Sequence, residues 1–194
     1  MENKIKAINI NNTWTLTELP RDRHAIGSKW IYKIKGDDKG CINRYKFRIV
    51  AKDYSQIENI DYFDTFTPVS KISSIHFLLA LATIKDWHIH QMDVVTTFLH
   101  GDFEEVYMRQ PKGFEKDNDM VCHLHKALYG LKQASRTWYQ KIDYFLLKEN
   151  FTRTESDHSV YKKICDNCLL IVAIYVDDLI IICGNLKVIL DFKH

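Results

Sequence analysis

Asp177 and Asp178 stand side by side in the stretch LLIVAIYVDDLIIIC, from Leu169 to Cys183, with apolar runs on both sides. An unpaired buried charge costs several kcal/mol, roughly, and adjacent carboxylates also repel each other. The pair therefore belongs at an exposed turn, under a bound cation, or both. A third acid, Asp93, ends the strand-like segment HIHQMDVV, in which Ile89, Gln91 and Asp93 alternate with His88, His90 and Met92. If the two segments are neighbours in one sheet, three carboxylates converge. They cannot all stay ionised together without cations, and hard oxygen ligands favour Mg²⁺ or Mn²⁺. Two such ions a few Å apart can activate an attacking hydroxyl and stabilise the leaving oxygen of a phosphoryl displacement. An exposed Asp-Asp turn with no ligand is the plain alternative. Two further groupings, CDNC (Cys165, Cys168) and CHLH (Cys122, His123, His125), resemble zinc half-sites, but each lacks a clear second half.

The elements that position these residues follow from periodicity. KWIYKIK (29–35) and INRYKFRIV (42–50) flank the turn-rich GDDKGC and predict a β-hairpin. Alternation puts Trp30, Tyr32 and Ile34 with Tyr45, Phe47 and Ile49 on an aromatic face meant for packing. Lys29, Lys33 and Lys35 with Arg44, Lys46 and Arg48 form a basic face. From Arg21 to Lys52 there are ten Lys/Arg against three Asp, although the whole chain carries only +2, and that asymmetry points to a polyanion. SSIHFLLALATIKDW begins with serine cap candidates and continues as a helix with Ile75, Leu78, Leu79 and Ala82 inward. ASRTWYQKIDYFLLKENF predicts a second helix, with Trp138, Ile142, Phe145 and Leu146 inward. SVYKKICDNCLLIVAIYVDDLIIIC predicts successive strands, the last two central in a sheet and joined at the Asp pair.

At 194 residues and 46% hydrophobic, the chain suits one large domain or two intertwined lobes with a real core. The N-terminal MENKIKAININNTW has no apolar core, and Leu169–Cys183 falls short of the roughly 20 residues of a membrane span. Five cysteines, an odd number at irregular spacing, fit a reducing compartment. The expectation is an intracellular, cytoplasmic protein without a membrane.

YVDD between apolar strands resembles the catalytic hairpin of reverse transcriptases. Around it, TWTLTELPRDRHAIGSKWIYKIK, RYKFRIVAKDYSQ, DYFDTFTPVSKISSI, QMDVVTTFLHGDFEEVYMRQPKGF and ALYGLKQASRTWY occur in the order seen in copia-type LTR retrotransposon polyproteins. The resemblance covers about Thr13 to Gly184. It implies an α+β right-hand polymerase fold of fingers and palm, its antiparallel palm sheet having helices packed on one face. The implied layout is a tail over 1–12, a reverse transcriptase domain over 13–184 and a C-terminal tail over 185–194. Within the domain, fingers would span about 13–87 and 116–140, and palm about 88–115 and 141–184. Asp93, Asp177 and Asp178 would be the catalytic, metal-binding triad holding two Mg²⁺ or Mn²⁺ ions, with the Val94 carbonyl as a further ligand. Lys46 and Arg48 would grip the dNTP triphosphate, Gln133 would touch the incoming nucleotide, and Phe98 would be the steric gate against a ribose 2′-hydroxyl. The partners implied are an RNA template, a DNA primer and dNTPs.

Departures from the family pattern are Val95 for a lysine, His76 for an arginine, Asp53 for a glycine and Ser135 for a proline. After IIICGN the sequence reads LKVILDFKH, where the family continues with more palm, a thumb and ribonuclease H. The expectation is therefore a domain lacking its thumb, a polymerase by descent whose activity alone is weak or absent. Thumb, ribonuclease H or integrase could be supplied in trans. The alternative is a catalytically inactive remnant that at most binds nucleic acid.

Overall fold

The computed structural model describes residues 2–94, 102–117, 119–165 and 167–193. In chain order the elements are α1 (Glu2–Ile10), β1 (Trp14–Glu18), β2 (Ala25–Ile26), β3 (Ser28–Gly36), β4 (Ile42–Ala51), α2 (Ile72–Lys85), β5 (His88–Asp93), β6 (Asp102–Arg109), β7 (Met120–Lys126), α3 (Ala134–Lys148), β8 (Thr152–Arg153), β9 (Val160–Cys165), β10 (Cys168–Tyr175), β11 (Asp178–Cys183) and α4 (Leu186–Phe192). They fall into two compact units, Met1–Phe66 with Phe98–Trp138, and Thr67–Thr97 with Tyr139–His194. α2 lies in the second unit and β6 in the first.

In the first unit a four-stranded sheet runs β1-β7-β6-β2, with β2 parallel to β6 and the other pairs antiparallel. Period-two alternation turns Cys122 and Leu124 of β7 and Val106 and Met108 of β6 into one core, joined by Ile26, Ile49, Ala51, Leu128 and Leu131. The segment expected as an N-terminal tail contains α1, whose Ile8 is 1% exposed within this core. The two-stranded ribbon β3–β4 forms as the alternation predicts, with Trp30 opposite Ile49, Tyr32 opposite Phe47 and Ile34 opposite Tyr45. Its aromatic face packs only at the base. There the Trp30 ring lies 5.7 Å from Phe114 and its Nε1 donates to the Lys112 carbonyl at 3.2 Å. Farther out, Tyr32, Ile34 and Tyr45 are each about 60% exposed.

The second unit is an antiparallel sheet in the order β5-β11-β10-β9-β8, so β10 and β11 lie centrally, as their apolar runs require. Its helices lie on both faces, which corrects the expectation of one. Ile171, Ala173 and Ile182 pack against Leu78 and Ala82 of α2. On the other face Tyr161, paired with Val172, donates from its hydroxyl to Asp143 of α3 at 2.6 Å. The physical reason is that both faces of the central strands are apolar, Leu170, Val172 and Ile174 on one, Ile171 and Ala173 on the other. α4 adds buried Val188 and Ile189 from within the expected C-terminal tail, capped by the Asn185 side chain accepting from the Lys187 N–H.

Local details depart from the periodic reading in two places. Lys71, not a serine, is the N-cap residue of α2, and the Asp157 carboxylate accepts from the Lys71 N–H at 2.8 Å. In α3, Ile142 and Leu146 are buried, but Phe145 is 46% exposed. No helix among the described residues is long and apolar enough to cross a membrane.

Asp143 also takes a two-pronged bond from Arg153, at 2.7 and 2.6 Å. Burial raises its pKa, but the bonds from Arg153 and Tyr161 and the Arg153 charge outweigh that and hold the carboxyl below its ordinary value. A depressed native pKa contributes stability that is complete above the unfolded value of about 4 and is lost as pH falls through the native one. Asp143→Ala, which leaves Arg153 without its carboxylate and the Tyr161 hydroxyl to the longer 3.1 Å bond with the Tyr139 hydroxyl, is expected to cost about 1–3 kcal/mol at pH 7. Thermal melts between pH 7 and 3 should also show a flatter acid limb in this variant. An unchanged pH dependence would remove Asp143 from the account.

Candidate active site

The β10–β11 hairpin closes through a two-residue turn, Val176–Asp177. Val176 has φ 57°, a left-handed conformation that a β-branched residue adopts only at a cost of about 1–3 kcal/mol. Tyr175 and Asp178 are the closing pair. Asp178 in turn stands directly opposite Asp93 on β5, so the two carboxylates share one face of the sheet. Side chains so placed have Cβ atoms about 4.5–5.5 Å apart, and like charges there repel. Pairing continues one step beyond β5, where the Val94 N–H donates to the Asp177 carbonyl at 3.0 Å. Gln91, on the same face as Asp93, donates from Nε2 to Asp178 Oδ1 at 3.0 Å. Asp93 is exposed and Asp177 and Asp178 are half-buried. The Asp doublet is thus at the tip of a central hairpin, with the third acid brought beside it by strand pairing.

These donors are all oxygens, the set that suits Mg²⁺ or Mn²⁺. As the side chains stand, no group of three or more His, Cys, Asp or Glu among the described residues is arranged to hold a metal ion. Asp178 is instead turned to Gln91. The CHLH grouping dissolves for a simple reason of alternation. Cys122 lies in the core, its thiol pushed up to about 12 by burial. His123 and His125 point the other way, 4.8 Å apart, with the Tyr107 ring stacked on His123.

In the first unit the basic face of the ribbon sets Lys33 opposite Lys46 and Lys35 opposite Arg44. Arg48 lies over the Tyr129 ring, 5.0 Å from its centroid. Tyr129 is fixed by its carbonyl, which accepts from the Ala51 N–H at 2.8 Å, and the chain turns at Gly130 with φ 88°. Gln133 is buried, with both ends of its amide engaged. Its Nε2 donates to the Asp61 carbonyl at 2.6 Å, and its Oε1 accepts from Gln56 at 2.9 Å. The Asp61 carboxylate in turn accepts from the Ile57 N–H at 2.7 Å and lies 3.1 Å from His24 Nε2. Periodicity gives no sign of His24, Gln56, Asp61 or Tyr129, because their partners lie far away in the sequence. Phe98 lies outside the described residues.

Cations placed directly opposite one another destabilise a ribbon until a polyanion lies across them. Replacing Lys33 and Lys35 with glutamine should therefore leave the free protein slightly more stable. The same variant should bind a polyanionic duplex probe more weakly, with the slope of log K against log salt shallower by about 0.9 for each phosphate that is no longer neutralised. Fluorescence anisotropy across a KCl series measures this, and an unchanged slope would take the ribbon out of the binding surface.

Residues 11–194 match the family described as reverse transcriptase (RNA-dependent DNA polymerase), and the chain belongs to it. Its relatives are retrotransposon polyproteins. It is 43% identical over 186 residues to the retrovirus-related Pol polyprotein from transposon TNT 1-94 of Nicotiana tabacum, a match covering 94% of this chain and 14% of that one. It is also 43% identical over 198 residues to the Pol polyprotein from transposon RE2 of Arabidopsis thaliana, covering 100% and 13%. Against the Ty1-BL Gag-Pol polyprotein of Saccharomyces cerevisiae the identity is 29% over 172 residues, covering 85% and 9%. The chain therefore spans 14% or less of the length of each of these relatives.

Proposed function

We propose that this chain is the fingers and palm portion of a copia-type RNA-directed DNA polymerase, adding dNTPs to a primer 3′-hydroxyl. The observation that carries the reading is Asp93 standing opposite Asp178, one residue from Asp177, at the tip of a central hairpin. Asp93 and Asp177, with the Val94 carbonyl, would hold two divalent ions. Asp178, already bonded to Gln91, would support them. Bound there, Mg²⁺ or Mn²⁺ supplies activation of the 3′-hydroxyl and stabilisation of the leaving pyrophosphate. The 3′-oxygen forms its bond to the α-phosphorus as the α–β bridge breaks. Lys46 and Arg48 draw the triphosphate, and Phe98 excludes the 2′-hydroxyl. Gln133, bonded to the Asp61 carbonyl and to Gln56, holds its own loop and would touch the nucleotide through its remaining N–H or lone pair. An RNA–DNA hybrid would be held by shape and backbone, giving slight sequence preference.

The test is primer extension on an RNA template with dNTPs and Mg²⁺ or Mn²⁺, using protein shown by circular dichroism to be folded. Slow addition of one or a few nucleotides, abolished by EDTA, is the expected result. No addition by folded protein would overturn the reading in favour of an inactive remnant.

A further inference from the structure

The CDNC sequence does lie at a built site, though not of the zinc kind. Cys165 and Cys168 flank a two-residue hairpin loop and are direct cross-strand partners of β9 and β10. Asn167 in that loop has φ 59°, which an asparagine tolerates at a tight turn. Residues so opposed have Cα atoms about 4.5–5.5 Å apart, within the window of about 4.4–6.8 Å that a disulfide needs. Both thiols are half-buried and so reachable from solvent. By alternation Cys183 of β11 shares their face. It is 0% exposed, and Cys168 is its neighbour on that face. Cys183 stands one residue past Ile182, the partner of Ile171, so it meets Cys168 only diagonally. Diagonal partners are about 7–8 Å apart, beyond the disulfide window. Cys183 can therefore support Cys168 but cannot be bridged to it without backbone movement.

We propose that Cys165 and Cys168 are an oxidisable dithiol that closes to a cross-strand disulfide by exchange with a small-molecule disulfide, with Cys183 as the thiol that supports Cys168. The Cys168 thiolate attacks one sulfur of the small disulfide and expels the first thiolate, leaving a mixed disulfide. The Cys165 thiolate then attacks Cys168 Sγ and expels the second. Two protein thiols lose two protons and two electrons, and one small disulfide becomes two thiols. Cys183, buried beside Cys168 on the same face, supports the attacking thiolate without being consumed. The site lies at the end of β9 and β10 away from the Val176–Asp177 turn, and does not depend on the polymerase reading.

The test uses the full chain carrying Cys41→Ala, which removes the exposed cysteine on the ribbon. After full reduction the folded protein is incubated with oxidised glutathione. Free thiols are then counted in denaturant, and peptides are mapped by mass spectrometry. The expected result is a fall from four free thiols to two, a Cys165–Cys168 linkage and no retained glutathione. Cys165→Ser should stall at glutathione on Cys168, and Cys183→Ala should slow closure several-fold without changing its end point. Four surviving thiols, or glutathione retained on Cys165 or Cys168 in the otherwise unaltered chain, would overturn the proposal.

Discussion

Asp177→Asn is expected to cut nucleotide addition at least about 10³-fold while leaving the fold intact. Removing one preorganised electrostatic partner from a catalytic centre already costs about 10²–10³-fold, and a missing carboxylate also weakens the ions it would hold. Folding is spared for local reasons. Residue 177 sits in a tight turn, where asparagine is as favourable as aspartate, and the bond from Val94 goes to its backbone carbonyl. Loss of one charge beside Asp178 and near Asp93 also relieves repulsion, so thermal stability should hold or rise slightly. Single-turnover extension with Mn²⁺, run beside a thermal melt, separates these effects. Asp178→Asn should cost less, because its carboxylate is engaged by Gln91. Retention of more than about a tenth of the activity by Asp177→Asn would sink the assignment of this carboxylate to the metal site.

The second large effect is structural. A Cβ added at Gly130 would lie 2.3 Å from the Ala51 carbonyl oxygen and 2.5 Å from Val50 Cγ1, and φ there is 88°. Neither neighbour is a flexible tip that can swing aside. Gly130→Ala is expected to destabilise the first unit by about 3 kcal/mol or more, adding steric overlap to the left-handed backbone penalty. Gly40 provides the control, since its φ is 78° but nothing lies within 4 Å of the added atom. Gly40→Ala should cost only the conformational penalty, about 1–2 kcal/mol. A melt in which the two variants lose equal stability would show that strain alone, and not the approach of β4, matters at Gly130. Because Tyr129 is held by the same segment, Gly130→Ala should also loosen Arg48 and raise the KM for dNTP.

Legibility in the sequence tracks the range of the interaction. The Asp doublet between apolar runs is a local contradiction, and a turn at that point resolves it. The β3–β4 register is likewise local, because alternation and a short loop fix it. The helix stripes mostly match the buried faces, and alternation within β10 makes both its faces apolar, leaving open whether helices cover one of them or both. Among the described side chains of α1, Ile5 and Ile8 meet the core, too weak a signal to mark an element before its packing is known. Gln133 shows the limit. Its partners are 72 and 77 positions away, and a buried amide looks the same in a sequence as an exposed one.

The carboxylate set also depends on something that no inventory of residues contains. Asp93 reaches Asp178 through the register of β5, the edge strand of its sheet. Deleting Gln91 would leave all three aspartates in the sequence, but would move Asp93 one step toward Leu179 and turn its side chain to the opposite face. In a lineage accumulating insertions and deletions, such a copy would still display its acidic signature and yet be silent. What places these carboxylates together is thus a phase relation between two strands, and spacing must be read along with letters.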